Sequence, residues 1–329
     1  MTREFYSHGK LLITGEYVVL DGALALAVPT KFGQSMSAKS LDEPKIKWTS
    51  RDHEDKVWFK EEFSVINNKI ERSKSGLSSP VAGRLQQILS EANKLNPGIL
   101  KDQKGLDIST KLEFPSTWGL GSSSTLLNNI ASLFETDPFE LLKNTFGGSG
   151  YDIAAAQNSG PITYQLNGEE KSILSVRFQP EFSNELFFVH LNQKQDSRKS
   201  IQHYQSVSKE DLAVVVDKIS SLTQSFIACS SLEEFELLIE IHETLISQLL
   251  QIPKIKTSHF PDYPGAIKSL GGWGGDFILA TGGTESQEYF MNNGYSTILS
   301  FDKMVKKAES NIPENLLNVR SNLTGFQNL

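Results

Sequence analysis

Four things are scarce in this 329-residue chain, and each scarcity removes a class of function. There is one cysteine, Cys229, so no disulfide closes within the chain, and no Cys- or His-rich spacing suggests a metal cage. A lone thiol fits a reducing, cytoplasmic setting and reads as a small packing residue. Basic residues are in deficit: 32 Lys and Arg against 39 Asp and Glu leave a formal charge of −7. General nucleic-acid binding needs an excess of cations to neutralise phosphates, and none is available. No apolar run approaches the roughly 20 residues that span a bilayer. The opening Met-Thr-Arg-Glu-Phe-Tyr lacks the apolar core and small-residue cleavage site of a signal peptide. What remains is a globular chain, long enough for two domains, with no membrane segment.

What the chain does have is glycine, concentrated in three places. The central one is Pro115-Ser-Thr-Trp-Gly-Leu-Gly-Ser-Ser-Ser-Thr125, which runs straight into the apolar Leu126 to Leu133. Pro115 stops what precedes it, Gly119 and Gly121 permit positive φ, and Ser122, Ser123 and Ser124 are good N-cap residues. Such a turn is either an ordinary helix start or an anion site, where backbone N–H groups and the helix dipole converge on a phosphate.

Around it the sequence reads as strands and helices in alternation. Phe5 to Val28 holds apolar runs punctuated by Gly15, Asp21 and Gly22, and Asp-Gly predicts a hairpin in a β-rich opening that ends at Pro29. Lys10 and Glu16 sit beside those runs, where an unpaired charge is costly unless it reaches solvent. Ser35 to Ser73 alternates as a meander, with Trp48, Trp58 and Phe59 as packing residues. Ser79-Pro80 opens a helix with Val81, Leu85, Ile88 and Leu89 on one stripe. Leu106 to Leu112 is a strand, and Asp137-Pro138 starts another helix. The second glycine cluster, Gly147-Gly-Ser-Gly-Tyr-Asp-Ile-Ala154, puts Asp152 at a helix start, as a cap or as a functional carboxylate. Later come the strand Glu185 to Leu191 and the segment from Gln193 to Ser200. That segment is cationic on balance: a solvated helix entry, or a landing place for an anionic substrate. Two long helices follow, Leu212 to about Ile227 and Leu232 to about Leu250, with His242 read as a packed histidine. The third cluster, Lys268-Ser-Leu-Gly-Gly-Trp-Gly-Gly-Asp276, feeds a strand and implies close backbone approach. Residues from Asn311 onward read as a loosely attached tail.

Taken in this order, the clusters resemble the GHMP kinase superfamily of galactokinase, homoserine, mevalonate and phosphomevalonate kinases. Ser7-His-Gly-Lys-Leu-Leu-Ile-Thr-Gly-Glu-Tyr-Val-Val-Leu-Asp-Gly22 resembles its opening motif, Pro115 to Thr125 its PxxxGLGSS phosphate loop, and Gly271 to Asp276 its C-terminal glycine loop. Gly-Glu-Tyr and Gly-Gly-Asp look more like phosphomevalonate kinase than mevalonate kinase. Gly150-Tyr-Asp-Ile-Ala154 resembles a bacterial subgroup labelled by those five letters.

The resemblance implies an α+β, two-domain fold. Residues 1–170 would form an ATP-binding domain like domain 2 of ribosomal protein S5, and residues 171–329 a ferredoxin-like domain, with the active site in the cleft between them. It implies ATP and Mg²⁺ as cofactors and a small anionic or hydroxylated metabolite as partner; monomer and homodimer both stay open. Pro115, Gly119, Leu120, Gly121, Ser122, Ser123 and Ser124 would cradle the phosphates, without the lysine of a Walker loop. Ser123 would ligate Mg²⁺. Asp152 matches the catalytic aspartate and Lys10 the lysine near it, a pairing that favours the ionised carboxylate and stabilises charge on the substrate oxygen. Glu16 would support substrate binding, as would Lys194, Ser197, Arg198, Gly271, Gly272, Gly274 and Gly275. Glu140 lies one position off the place where mevalonate kinases put a second Mg²⁺ ligand.

Two departures stand out. His8 replaces a usual proline, and Trp273 puts a large ring where relatives have a small residue, so it either fills substrate space or covers the loop. The reaction implied is phosphoryl transfer from ATP to an alcohol or phosphate monoester, mevalonate-like. An ATP-dependent diphosphomevalonate-type decarboxylase and a non-catalytic binding protein on the same fold are the alternatives.

Overall fold

The protein is described by a computed structural model that covers residues 2–72, 79–195, 197–207 and 210–308. It forms two compact units whose segments alternate along the chain. The first takes Met1–Gly9, Phe32–Ser116 and Leu120–Gln157; the second takes Lys10–Lys31, Thr117–Gly119 and Asn158–Leu329. Among the described residues no helix is long and apolar enough to cross a membrane. The tail from Asn311 lies outside the described residues.

The first unit is a sheet covered by helices. Its strands run in the order Lys69–Arg72, Val57–Ile66, Lys45–Arg51, Gly105–Leu112 and the second half of Ala25–Leu41. Neighbours pair antiparallel except Lys45–Arg51 with Gly105–Leu112, which are parallel. Alternation along Lys45–Arg51 turns Ile46, Trp48 and Ser50 inward. Ile46 and Trp48, with Phe63, Ile70 and Ile108, meet Leu85, Ile88 and Leu89 of the helix Pro80–Leu95 and Leu127, Ile130 and Leu133 of the helix Ser122–Phe134. Burying each such side chain favours folding by about 1.5–3 kcal/mol, which is what keeps the helices on the sheet. Ser79 caps the first helix by accepting from the Ala82 N–H at 3.3 Å. Val81, expected on the inward stripe, is 44% exposed, and Ala82 takes its place in the core. Trp58 also differs from expectation: it is 57% exposed, whereas Trp48 is buried and Phe59 packs at the core's edge.

The second unit carries an antiparallel four-stranded sheet in the order Ile267–Ser269, Phe277–Thr281, Leu186–His190 and Ile298–Ser300. Leu186–His190 and Phe277–Thr281 are buried at every residue. The helix Leu232–Leu250 starts at Ser231, which accepts from the Glu234 N–H, and turns Phe235, Leu238, Ile239, His242, Glu243 and Ile246 inward. The helix Leu212–Ala228 packs beside it.

The opening differs from the expected hairpin. Thr2–Thr14 is a strand, but Val18–Asp21 is a 3₁₀ turn closed by Gly22 at φ 92°, so the Asp-Gly pair ends a helix turn. Nor does Pro29 end a strand. It lies within Ala25–Leu41, between the Ala25–Ala27 stretch that pairs with Ile162–Asn167 and the Gln34–Leu41 stretch that pairs with Gly105–Leu112. A proline is tolerated where a strand changes its ladder.

Candidate active site

The Pro115–Thr125 turn has the backbone its glycines predicted. Gly119 lies at φ 66° and Gly121 at φ 84°. The N-cap is Gly121 rather than one of the serines, and no side chain caps the helix there. Ser122, Ser123 and Ser124 therefore occupy the first turn itself, with N–H groups at the positive end of a 13-residue helix. Thr125 anchors that turn: its hydroxyl meets Gln34 Oε1 at 2.7 Å and the Ser122 carbonyl at 3.0 Å. The three serines divide the remaining work by exposure. Ser124 is buried, and its hydroxyl donates to Asp152 Oδ2; Ser123 is exposed.

Asp152 sits in the first turn of Tyr151–Gln157, and its other oxygen accepts from the Ile153 N–H at 3.0 Å. The helix start behind the glycine turn thus holds a half-buried carboxylate in place through a serine that the turn supplies. Sequence reading placed Ser124 and Asp152 separately, 28 positions apart, and had no signal that they bond.

Thr117–Gly119, the part of the turn that belongs to the second unit, is held by different residues. His190 accepts from the Asn192 N–H at Nδ1, which leaves its proton on Nε2, 3.2 Å from the Thr117 carbonyl. Trp118 packs edge-on against Phe277 at 5.5 Å between centroids. Lys10 Nζ lies 3.5 Å from the Gly119 carbonyl. Asp276, at the end of the C-terminal glycine loop, presses against Gly119 so closely that a methyl group there would stand 2.3 Å from its carboxyl carbon. Burial pushes the Asp276 carboxyl above its usual range, while the Gln195 N–H, Lys10, His190 and Lys194 pull the other way. Asp276 ended the glycine motif in the sequence, but nothing there showed that it reaches Gly119.

Glu16 is only 1% exposed. Its Oε1 accepts from Lys268 Nζ at 2.6 Å, and Lys268 also meets Glu243 Oε1 at 3.2 Å and the Ser269 carbonyl at 2.8 Å. Ser269 donates to the second Glu243 oxygen at 2.8 Å. Gly15 N–H donates to His242 Nε2, so that ring is neutral, and Nε2 also faces Glu16 Oε2 at 3.3 Å. Desolvation raises Glu16 to about 7 against the pull of Lys268; it also raises Glu243 and lowers His242. This buried cluster ties the turn after the Lys10 strand to the first residues of the glycine loop.

The other expected site residues are scattered or outside view. Lys194 is exposed, and the side chains of Ser197 and Arg198 lie outside the described residues. Gly271 and Gly274 have positive φ. Gly272 and Gly275 leave no room for a side chain because Gln195 packs on them. Glu140 is exposed in the first turn of Pro138–Thr145. Among the described residues no three His, Cys, Asp or Glu side chains cluster as a metal cage. Magnesium needs no such cage, since it binds through one or two carboxylates together with substrate phosphates. Ser123 and Asp152 carry the hard oxygens such an ion takes.

No protein-family model and no curated relative matches the sequence. Solved structures do match. The mevalonate kinase of Methanococcus jannaschii superposes with a TM-score of 0.65 at 13% identity, over 94% of this chain and 99% of that one. The phosphomevalonate kinase of Streptococcus pneumoniae, in complex with phosphomevalonate and AMPPNP, gives 0.65 at 18% identity over 91% and 99%. The mevalonate diphosphate decarboxylase of Staphylococcus aureus gives 0.56 at 11% identity over 94% and 97%. The chain has the α+β fold of the GHMP kinase superfamily.

Proposed function

We propose that this protein is an ATP- and Mg²⁺-dependent kinase that phosphorylates a small anionic alcohol or phosphate monoester of the mevalonate and phosphomevalonate type. The observation that carries the reading is the bond from Ser124 to Asp152, which sets a carboxylate at the helix start behind a glycine turn. A turn of this kind binds phosphate, and a carboxylate beside it is where an attacking hydroxyl would lose its proton. The phosphomevalonate kinase that shares the fold is bound to an ATP analogue, which supports ATP as the donor.

In the proposed reaction the acceptor oxygen attacks the γ-phosphorus, the bond to the bridging oxygen breaks, and ADP leaves. Asp152 takes the hydroxyl proton, and Ser124 keeps its carboxylate aimed. The N–H groups of Gly121 to Ser124 hold the phosphates. Lys10 brings positive charge to the Gly119 side of the turn, where negative charge builds on the transferring group. Magnesium, held by Ser123 and an acidic side chain with the nucleotide, would neutralise the phosphate oxygens.

A coupled ADP-release assay over mevalonate, phosphomevalonate, diphosphomevalonate, homoserine and simple sugars tests the proposal. ADP formed with one of these acceptors and lost in Asp152→Ala supports it. ADP accompanied by CO₂ would instead favour the decarboxylase reading, which the fold match to such an enzyme keeps in view. No ADP with any acceptor refutes both.

A further inference from the structure

The helix Ser122–Phe134 buries residues of two opposite characters. Leu127, Ile130, Ala131, Leu133 and Phe134 join the apolar core of the first unit. Thr125, Asn128 and Asn129, three and four positions apart and so on one side of the helix, are just as buried, and they are polar. That side meets two strands that pair with each other, Thr2–Thr14 and Ala25–Leu41. Ser7 Oγ donates to Asn129 Oδ1 at 2.7 Å and accepts from Asn128 Nδ2 at 2.9 Å. Asn129 Nδ2 donates to the Gln34 carbonyl at 2.9 Å, and the Thr125 hydroxyl donates to the Gln34 side-chain oxygen at 2.7 Å. Ser7 and Gln34 are themselves buried. One chain of bonds thus runs from Ser7 to the first turn of the helix, where Thr125 also reaches the Ser122 carbonyl at 3.0 Å.

Stability alone does not call for this arrangement. Replacing both partners of a buried hydrogen bond by apolar groups of the same shape is often neutral or stabilising. Here one acceptor, Asn128 Oδ1, is even sealed from solvent without a partner, a cost that an apolar residue would not bear. What directional bonds add is a fixed setting. Apolar side chains tolerate a small rotation of a helix, whereas a connected set of short bonds does not. A rotation of about 20°, at a backbone radius of about 2.3 Å, moves an N–H group by roughly 0.8 Å. The N–H groups of Ser122, Ser123 and Ser124, and the hydroxyl that Ser124 donates to Asp152, all ride on that first turn. A misplacement near 1 Å is enough to cost about 100-fold in rate.

We propose that Gln34 and Thr125, backed by Ser7, Asn128 and Asn129, are positioning residues: they fix the rotation of Ser122–Phe134 about its axis, and so the direction of its first-turn N–H groups and of the Ser124 hydroxyl. This rests on the kinase reading above for what those N–H groups bind; the fixed setting itself does not depend on it. All five residues act through the helix rather than on a ligand.

Gln34→Met and Thr125→Val break the same bond from its two ends while keeping the size of each side chain. Titration calorimetry with AMPPNP, beside melting curves, reads the effect. We expect each variant to weaken AMPPNP binding about tenfold and the double variant to weaken it no further. Thr125→Ser, which keeps the hydroxyl, should bind like the wild type, and melting temperatures should stay close together. Should Gln34→Met not fold, Ser7→Ala breaks the chain of bonds at its other end with the same expected loss. Undiminished binding in Gln34→Met and Thr125→Val overturns the proposal. So does a loss that Thr125→Ser shares, or one found only where the melting temperature falls, since packing alone would then explain it. If the wild type itself fails to bind AMPPNP, the kinase reading falls, and crystal structures of the wild type and of Thr125→Val decide the rest. A helix turned against Thr2–Thr14 and Ala25–Leu41 in the variant upholds the fixed setting; an unmoved helix overturns it.

Discussion

Replacing Lys268 by methionine should reveal how much the site depends on a charge cluster that no solvent reaches. Lys268 is fully buried and pairs with Glu16 at 2.6 Å and Glu243 at 3.2 Å. Methionine matches its bulk but leaves two carboxylates facing each other without a cation. Removing one partner from a buried ion pair typically costs about 3–5 kcal/mol. For a unit of this size that lowers the melting temperature by roughly 10 °C. The cost must depend on pH. Glu16 already titrates at about 7 in the folded chain against 4.5 as its ordinary value, chiefly because burial disfavours its charge. Below about 4.5 it is protonated in both folded and unfolded chains. Between 4.5 and about 7 the unfolded chain releases a proton that the folded chain keeps, so Glu16 by itself takes away on the order of 3 kcal/mol as pH rises; up to about 6.5 the buried neutral His242 works the other way, so the wild-type loss shows mainly above that pH. Without Lys268 both carboxyls are raised further, the decline steepens, and it extends to higher pH. Melting curves by circular dichroism from pH 5 to pH 8 therefore should show a modest loss for Lys268→Met at the acid end and the full loss at the basic end. Glu16→Gln should flatten the wild-type decline, and the double variant should recover much of the stability lost at pH 8. A Lys268→Met penalty that is the same at both ends, or below about 1 kcal/mol at pH 8, would refute the reasoning.

Two further outcomes concern the Pro115–Thr125 turn. Gly119→Ala combines a left-handed backbone, worth about 1–2 kcal/mol for a residue with a side chain, with a methyl group only 2.3–2.6 Å from the atoms of the Asp276 carboxylate. Asp276 cannot easily retreat, because its N–H and carbonyl bond to Gln193 and Leu191 at 2.6 and 2.8 Å; calorimetry should show Asp276→Ala to be less harmful in the Gly119→Ala background than alone. Ser124→Ala removes the hydroxyl that aims Asp152, so kcat should fall roughly 10- to 100-fold in steady-state assays while ATP affinity, read by titration calorimetry, changes little.

What the sequence made legible was what short-range chemistry determines. The glycines of the Pro115–Thr125 turn, the caps at Ser79 and Ser231, and the inward stripe of Leu232–Leu250 all act through neighbours within a few positions. The opening was harder, because Tyr17 to Leu20 is too short for periodicity to tell a strand from a 3₁₀ turn. Least visible were partners far apart in the chain. Glu16 and Lys268 are 252 positions apart, and a buried glutamate looks like any other until its cation is found. His242 and Glu243 lay on the apolar stripe of their helix, and an acidic residue on such a stripe is a signal that a buried partner exists. The same holds for Asp276 and Gly119, which belong to two separate glycine motifs of the sequence and press together in the structure.

The central claim is that Asp152, aimed by Ser124, takes the acceptor's proton during transfer from ATP. Single-turnover ADP formation in wild type and Asp152→Ala, with ATP binding measured alongside, tests it most directly. ADP formation should vanish in the variant while ATP still binds nearly as tightly. A variant that turns over at the wild-type rate would contradict it.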